Sequence, residues 1–579
     1  MLKIIAQALK VTTLSTSIIV FGAFGFANAD LSKTVSQSGL SGSFLASRVA
    51  ITDQDDNAAV RFLERAATFD PDNVRLKQDL LSALVSNGRI EEAGKVAREI
   101  EASGTNRNLI GFVKATQELK KRSWNKVAAA LKDVAGADLD KTLREITLAW
   151  ALSGERKADE ALAKLDDLEG PEWIKVMRDY HSGLIADVAG KSDLAAEKFQ
   201  AVIDNRAVIS VLTETYIRTI EAMVRSRSKV GAREEALEAL DFGQTLLPDH
   251  GPFVLLREAL GNEQTLTPLL TSPQDGVAEL FYNISTALRR DGSGNFAKSY
   301  LQMANHLSPE TDVITVALAE LYLRQSDFER SNDFYDSIPE DSAFYRIGQL
   351  ERASNLSRLE RKEEAIESLK VLIEQEPSDL AGYMVLGDIY NREKRYRDAA
   401  NTFDQAVSII GLPENHHWNL FFRRGIAYER LKEWPTAEPN FKKSLELSED
   451  QPEVLNYLGY SWIDQGINLD EGMQMIRKAV ELRPRSGFIV DSLGWAHYRL
   501  GEFEDAVIHL ERAVQLMPQD PTINDHLGDA YWKVGRKLEA TFQWKIALAA
   551  KTPPDQPELI EKKLVEGLVE EEKDEAKAE

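Results

Sequence analysis

Apolar and small residues recur three and four positions apart along most of the chain, the spacing that gathers them on one face of a helix. Between residues 380 and 550 the blocks themselves repeat. Gly387, Gly425, Gly459, Gly494 and Gly528 are separated by 38, 34, 35 and 34 residues. Twelve residues after each comes a small residue, Ala399, Ala437, Ala506 and Ala540, with Gly472 filling the place one residue late. Four further on stand Phe403, Phe441, Ile476, Leu510 and Trp544. Each block predicts two antiparallel helices. Small residues let the pair approach closely, and larger ones fill the space around them. One hairpin cannot bury its apolar face alone, so the hairpins are expected to stack.

The pattern continues upstream in weaker form. Ala59, Leu63, Ala66 and Pro71 mark one unit, and Leu80, Leu84, Gly88, Ile90, Ala93 and Ala97 its neighbour. Ala236, Leu240 and Pro248 mark another, as do Ala297, Leu301, Ala304 and Pro309. Between about 103 and 225 the helical period persists with a degraded consensus that includes Gly183, Gly190, Ala195 and Phe199. A period near 34 with L-G-x2-Y, A-x3-F and a later Pro resembles the tetratricopeptide (TPR) repeat. The block Gly487 to Asp520 carries it as Leu493-Gly494, Gly501, Phe503, Ala506, Leu510, Ala513 and Pro518. The expected fold is all-α, a right-handed solenoid of about 12–14 stacked hairpins.

Breaks in the pattern set the expected boundaries. Residues 30–42, rich in Ser and Gly, read as a flexible segment. Residues 43–260 form a first superhelix with degenerate repeats, 261–276 a hinge, and 277–556 a second superhelix. A capping helix is expected over 557–568 and a solvated acidic tail over 569–579. At the start, Lys3 and Lys10 precede an uncharged apolar run from Val11 to Phe26, closed by Ala27-Asn28-Ala29. This reads as a cleaved secretory signal peptide over residues 1–29, with a periplasmic chain starting at Asp30.

Charge and composition narrow the function classes. Lys and Arg total 70 against 93 Asp and Glu, a formal charge of −23. That disfavours nucleic acid and anionic membrane surfaces as partners. Cysteine is absent, which excludes disulfides, thiolate metal sites, a cysteine nucleophile and attachment as a lipoprotein. There is no Walker-A loop, no G-x-G-x-x-G and no H-E-x-x-H. His416-His417 is the one adjacent histidine pair and reads as an exposed loop. The expectation is a protein without catalytic residues, cofactor or metal.

Function then falls to the face of the first helices that packing leaves free. In the last repeats that face offers Asn456, Tyr460, Asp464, Asp491, Trp495, Tyr498, Arg499, Asp525, Asp529, Trp532 and Lys533. Aromatic anchors among acids suit an extended peptide or protein surface bearing basic residues. Many TPR modules clamp a carboxyl-terminal Glu-Glu-Val-Asp peptide with Lys and Asn. The matching places here hold Met384, Val385 and Asp388, then Asn456, Tyr457 and Tyr460, then Asp491, Ser492 and Trp495, so that clamp is missing.

The runs LNYLGYSWIDQGINLDEGMQMIRKAVELRP, DSLGWAHYRLGEFEDAVIHLERAV and DHLGDAYWKVGR resemble the carboxyl-terminal repeats of large bacterial envelope TPR proteins. Among these are outer-membrane lipoprotein adaptors that activate a periplasmic carboxyl-terminal-processing protease and bring it cell-wall hydrolases. The resemblance implies a scaffold or adaptor in the cell envelope, here without the lipobox cysteine. An assembly factor for exported polysaccharide or outer-membrane components is the alternative. An enzyme or sugar-binding helical protein is the alternative of another class.

Overall fold

The computed structural model describes residues 39–100, 107–248, 250–290, 294–550 and 557–568. Every regular element among them is a helix. The signal peptide, most of the expected flexible segment and the acidic tail lie outside the described residues. Leu40–Thr52 is a helix, so the end of the segment expected to be flexible is ordered.

Packing divides the chain into two units, one ending at Arg361 and the other beginning at Lys362. This corrects the expected hinge. Residues 262–272 do form a non-helical connection, after the helix Gly251–Gly261 and before Pro273–Arg290, but they lie inside the first unit. The helices that follow them pack back on those that precede them, so the connection cannot act as a hinge between separate bodies.

The second unit contains five hairpins: Leu380–Arg392 with Tyr396–Ile409, Trp418–Arg430 with Trp434–Leu447, Pro452–Asp464 with Leu469–Leu482, Gly487–Arg499 with Phe503–Leu516, and Pro521–Lys533 with Lys537–Leu548. The helix Lys362–Gln375 precedes them and Pro557–Glu566 follows. The repeating glycine explains the close approach within each pair. A Cβ on Gly387, Gly425, Gly494 or Gly528 would stand 2.4, 2.7, 2.6 or 2.4 Å from Phe403, Phe441, Leu510 or Trp544. The missing side chain is the socket for the large residue 16 positions on, and burial of that residue ties the helices together. At Gly459 the facing group is the backbone of Gly472, whose carbonyl oxygen would lie 2.6 Å from an added Cβ.

Eight hairpins of the first unit follow the same plan among the described residues. One of them departs in position. Pro273–Arg290 packs across Asp138–Gly154, Glu172–Val188 and Thr213–Lys229, while Gly294–Leu307 packs against Val74–Ser86 and Arg107–Lys120. All five are first helices of their hairpins. Gly276 meets the Trp150 indole so closely that a Cβ would sit 2.3 Å from Cε2. The inserted hairpin thus fills the face that a peptide would use, and one continuous apolar core runs from Ala50 to Tyr322.

Polar side chains fix the insert. Glu279 accepts from Tyr180 Oη at 2.8 Å and from Arg218 Nε and Nη2 at 3.1 and 2.9 Å, and Asn283 Nδ2 donates to it at 2.8 Å. Arg218 also pairs with Glu221, and all three charges are buried. Burial alone would raise the carboxyl pKa values of Glu221 and Glu279; Arg218, together with His250 and Arg225 at Glu221 and with the hydrogen bonds from Tyr180 and Asn283 at Glu279, outweighs it and holds both below their usual range. On the second helix of the insert, buried Lys298 pairs with Asp56, to which Arg330 Nη1 also reaches at 3.4 Å. The partners lie 242 and 274 residues apart, so these bonds draw the first described hairpin onto the seventh and eighth.

Candidate functional site

In the second unit the first helices of successive hairpins touch one another: Pro452–Asp464 meets Gly487–Arg499, which meets Pro521–Lys533. The second helices make no comparable contacts with each other. The stack therefore curves with its first helices inside, and among the described residues no inserted hairpin covers them. Each of the eleven residues singled out from the sequence lies on one of these first helices, and most already have a neighbour.

The inner face is neutralised from within. Asp464 pairs with Arg499 Nη1 at 2.9 Å, and Asp491 with His526 Nδ1 at 3.0 Å; Asp388 pairs with Arg423. In each case the cation stands 35 residues after the acid, one hairpin further along. At the end of the stack Lys563, on the terminal helix, takes that place. It lies 2.9 Å from both Asp525 carboxylate oxygens and 2.8 Å from Asp529 Oδ2. The acids expected to attract a basic partner thus have cations of their own.

Between these pairs runs an aromatic shelf. The Trp495 indole stacks on Tyr498 with ring centres 4.4 Å apart and planes 7° apart, and on His526 at 3.9 Å and 17°. Tyr498 meets Phe503 edge-on, and Lys533 Nζ lies 5.8 Å from the centre of the same Phe503 ring. Trp495 and Tyr498 remain half-buried. Tyr460 is half-buried one hairpin earlier, its phenol pushed up to about 12 by burial and by Asp464 and Asp491. Asn456 Nδ2 donates to Ser492 Oγ at 3.1 Å.

Trp532 is placed differently from Trp495. It sits 5.4 Å from the Trp544 ring, beneath the terminal helix, and a Cβ on Gly567 would lie 2.2 Å from its Cζ2. Asp529 is 5% exposed and also accepts from Trp544 Nε1 at 3.0 Å. The two tryptophans therefore do not form one continuous anchor line: Trp495 stays half-buried on the inner face, and Trp532 is roofed.

Burial lowers the pKa of His526, but Asp491, with Asp525 and Asp529, more than offsets it, so the imidazole is held above its ordinary 6.5. Asp529 is pushed up to about 6 by burial and by the neighbouring Asp525. Lys563, despite burial, is held above its ordinary value by the two carboxylates. These directions agree. Two acids share one ammonium, so the ammonium keeps its proton while one acid also takes one up more readily than a free carboxyl.

Other histidines serve the hairpins. His417, expected in an exposed loop, is only 9% exposed and its Nδ1 accepts from Glu414 N at 2.9 Å, closing a short turn. Its neighbour His416 is exposed, as expected. His497, Glu502 and Asp505 bring three ligand-type atoms within 4.8 Å of one another at a hairpin turn, but His497 Nδ1 is engaged with Glu502 at 2.5 Å. Sequence reading missed His526 and Lys563 as members of the inner face. The 35-residue acid-to-cation spacing was the signal that could have found His526.

Helix hairpins stacked with their first helices inside define an α-solenoid. Tetratricopeptide repeats are found in three stretches of it. The family model described as TPR repeat matches residues 494–535, the YpiA-like tetratricopeptide-repeat model 295–342, and a third, described as tetratricopeptide repeat, 350–412. A TPR repeat-containing protein of Pseudomonas aeruginosa is 27% identical over 194 residues, which are 33% of this chain and 32% of that protein. The chain thus matches about a third of that relative's length. Among solved structures, a tetratricopeptide repeat protein from Parabacteroides merdae aligns over 43% of this chain and 96% of its own, at 16% identity and a TM-score of 0.36. A chain of the APC/C hetero-tetramer Cut9-Hcn1 aligns over 93% of this chain and 99% of its own, at 12% identity and a TM-score of 0.38.

Proposed function

We propose that this protein is a non-catalytic scaffold of the bacterial cell envelope that captures partner proteins on the inner face of its second unit. The observation that carries the reading is the aromatic shelf of Trp495, Tyr498 and His526 on an uncovered stack of first helices. Rigid, half-buried aromatic side chains with hydrogen-bonding neighbours are efficient anchors, because they give contact area at little cost in rotamer entropy. The first unit is assigned the role of a platform, since its own hairpin fills the corresponding face.

The envelope address rests on the leader sequence before Asp30. The resemblance of the last repeats to envelope adaptors supports recruitment of substrates to a periplasmic protease, with cell-wall hydrolases as the cargo class. Because the inner acids are paired in cis, the partner is selected by apolar and hydrogen-bonding contacts more than by net charge. Among the described residues no helix is long and apolar enough to cross a membrane.

The test is capture from an envelope extract on the immobilised chain, comparing wild type, Trp495→Ala and Leu493→Ala. Trp495→Ala should lose its prey while keeping the helical signal and melting of the second unit. Equal capture by wild type and Trp495→Ala would remove the shelf from the binding site. Recovery of the intact leader on the purified envelope protein would count against release into the periplasm.

A further inference from the structure

The terminal helix Pro557–Glu566 completes the last hairpins by taking the position of one more first helix. Lys563 supplies the cation that the next repeat would supply, and Ile560 enters the apolar cluster of Leu527, Tyr531 and Trp544. Leu564 and Leu568 pack against the same cluster, and Gly567 lies flat on the Trp532 ring, where any Cβ would collide. No second helix follows to lock this one down among the described residues. Its grip is correspondingly light: Ile560 is its one buried side chain, whereas Leu559 and Val565 stand 53% and 85% exposed. A ten-residue helix is also too short to hold its shape unaided, so it folds as it docks.

We propose that the roofed end of the inner face is a receptor for a short amphipathic helix of the pattern apolar-x-x-Lys-apolar-x-x-Gly-apolar. In this chain Ile560, Lys563, Leu564, Gly567 and Leu568 supply that pattern as a resident ligand, which a partner's helix of the same pattern replaces. Each place has a physical reason. The lysine answers Asp525 and Asp529, which together carry more negative charge than one ammonium neutralises. The apolar places enter the cluster around Trp544, and the glycine allows the backbone onto Trp532. The proposal rests on the scaffold reading above, and adds to it the chemistry of one partner segment and a self-occupied state.

The probe is a fluorescein-labelled peptide with the sequence of residues 557–568, PELIEKKLVEGL. Its anisotropy is measured with the full chain and with full-length Lys563→Glu, whose own helix is repelled by the two aspartates. The variant should bind the peptide at least tenfold more tightly than wild type. Lys563→Glu or Gly567→Leu in the peptide should abolish that binding, and so should Asp525→Asn with Asp529→Asn in the variant chain. Equal binding to both chains, no binding to the variant, or indifference to the peptide substitutions would overturn the proposal. So would loss of the second unit's cooperative melting in Lys563→Glu, because the helix would then be a structural cap. Capture at Trp495 is read separately in the wild-type chain, so failure of helix exchange leaves that result standing.

Discussion

The two units use the same hairpin and bury its inner face by different means. In the first, the inserted hairpin Pro273–Leu307 fills the curve, and buried charges such as Arg218, Glu279, Lys298 and Asp56 hold it across long stretches of chain. Its core is one cluster from Ala50 to Tyr322. In the second, apolar residues from Leu455 to Ile523 form one cluster and those from Ala506 to Ile560 another, each limited to neighbouring hairpins. The first arrangement couples distant repeats and fills the inner face of the first helices it packs on. The second couples only neighbours, as a linear stack does, and keeps an inner surface in contact with solvent. The same repeat therefore leaves different surfaces open in the two units, set by what occupies the curve.

The sharpest way to break the comparison is at Arg218. Removing this guanidinium leaves Glu221 and Glu279 buried without their counter-charge, which costs about 3–5 kcal/mol. Arg218→Leu should unfold the first unit in a single step at lower denaturant while the second unit keeps its own transition. Circular dichroism with hydrogen exchange separates the two. If the second unit loosens to the same extent, the units are energetically one body. In the second unit, Phe441→Ala should cost a similar ~3–5 kcal/mol. Its exchange footprint should differ, since the loss of protection should be confined to the hairpin Trp418–Leu447 and its immediate neighbours.

Trp495→Ala should have a smaller effect on stability, about 1 kcal/mol, the scale of one aromatic pair beyond area burial. It should weaken capture by about 2 kcal/mol or more, roughly thirtyfold. The split between melting and affinity is the readout that marks the shelf as a binding surface. A ring whose loss changes melting alone belongs to the core.

These effects show which parts of the molecule could be read along the chain. The Gly387–Phe403 relation and its repeats are local, sixteen residues apart, and recur with the hairpin, so spacing reveals them. Gly183 and Phe199 obey the same relation, with an added Cβ 2.5 Å from the ring, inside the stretch where the consensus is degraded. The insert was not legible. Its markers Ala297, Leu301 and Ala304 are those of any hairpin. What distinguishes it is that Glu279, Asn283 and Lys298 are buried, and their partners lie far away in sequence, the most distant at Asp56. A polar residue on a helical period reads as solvated until its partner is known. On the candidate site, the aromatic face was legible, whereas the pairing of its acids and the roof over Trp532 depend on contacts between hairpins.

The end of the second unit should also respond to pH in a direction set by its titrating groups. The native imidazole of His526 binds its proton more tightly than an unfolded histidine, because Asp491, Asp525 and Asp529 together outweigh burial. Its contribution is therefore complete below the ordinary value of 6.5 and is lost as pH rises through the folded value above it. Asp529 works in the same sense at lower pH. With a folded value of about 6 against 3.8, the native state holds the extra proton between these limits, and stability falls as pH rises through them. Hydrogen exchange of the helix Pro521–Lys533 should show lower opening free energy at pH 8 than at pH 5. His526→Gln should flatten the upper part of that slope and Asp529→Asn the lower part. A slope unchanged by both would place its origin elsewhere.

The smallest effect expected tests the turns that both units share. Gly501 and Gly535 turn their hairpins with φ of 81° and 83°, a left-handed conformation that glycine adopts without a Cβ penalty. At the equivalent turns Lys394 and Lys432 stand at 57° and 62°, and in the first unit Arg156 stands at 65°. A side chain in this region costs about 1–2 kcal/mol, partly offset because glycine loses more freedom on folding. Lys432 is exposed, so its replacement leaves the core untouched. Lys432→Gly should therefore stabilise its hairpin by about 0.5–1 kcal/mol. Arg156→Gly should give a similar gain in the first unit, felt across the single core instead of within one hairpin. Chemical denaturation of each variant measures the gain, and hydrogen exchange shows how far it spreads. Gains of similar size with different spread would separate local backbone strain, common to both units, from the coupling that differs between them.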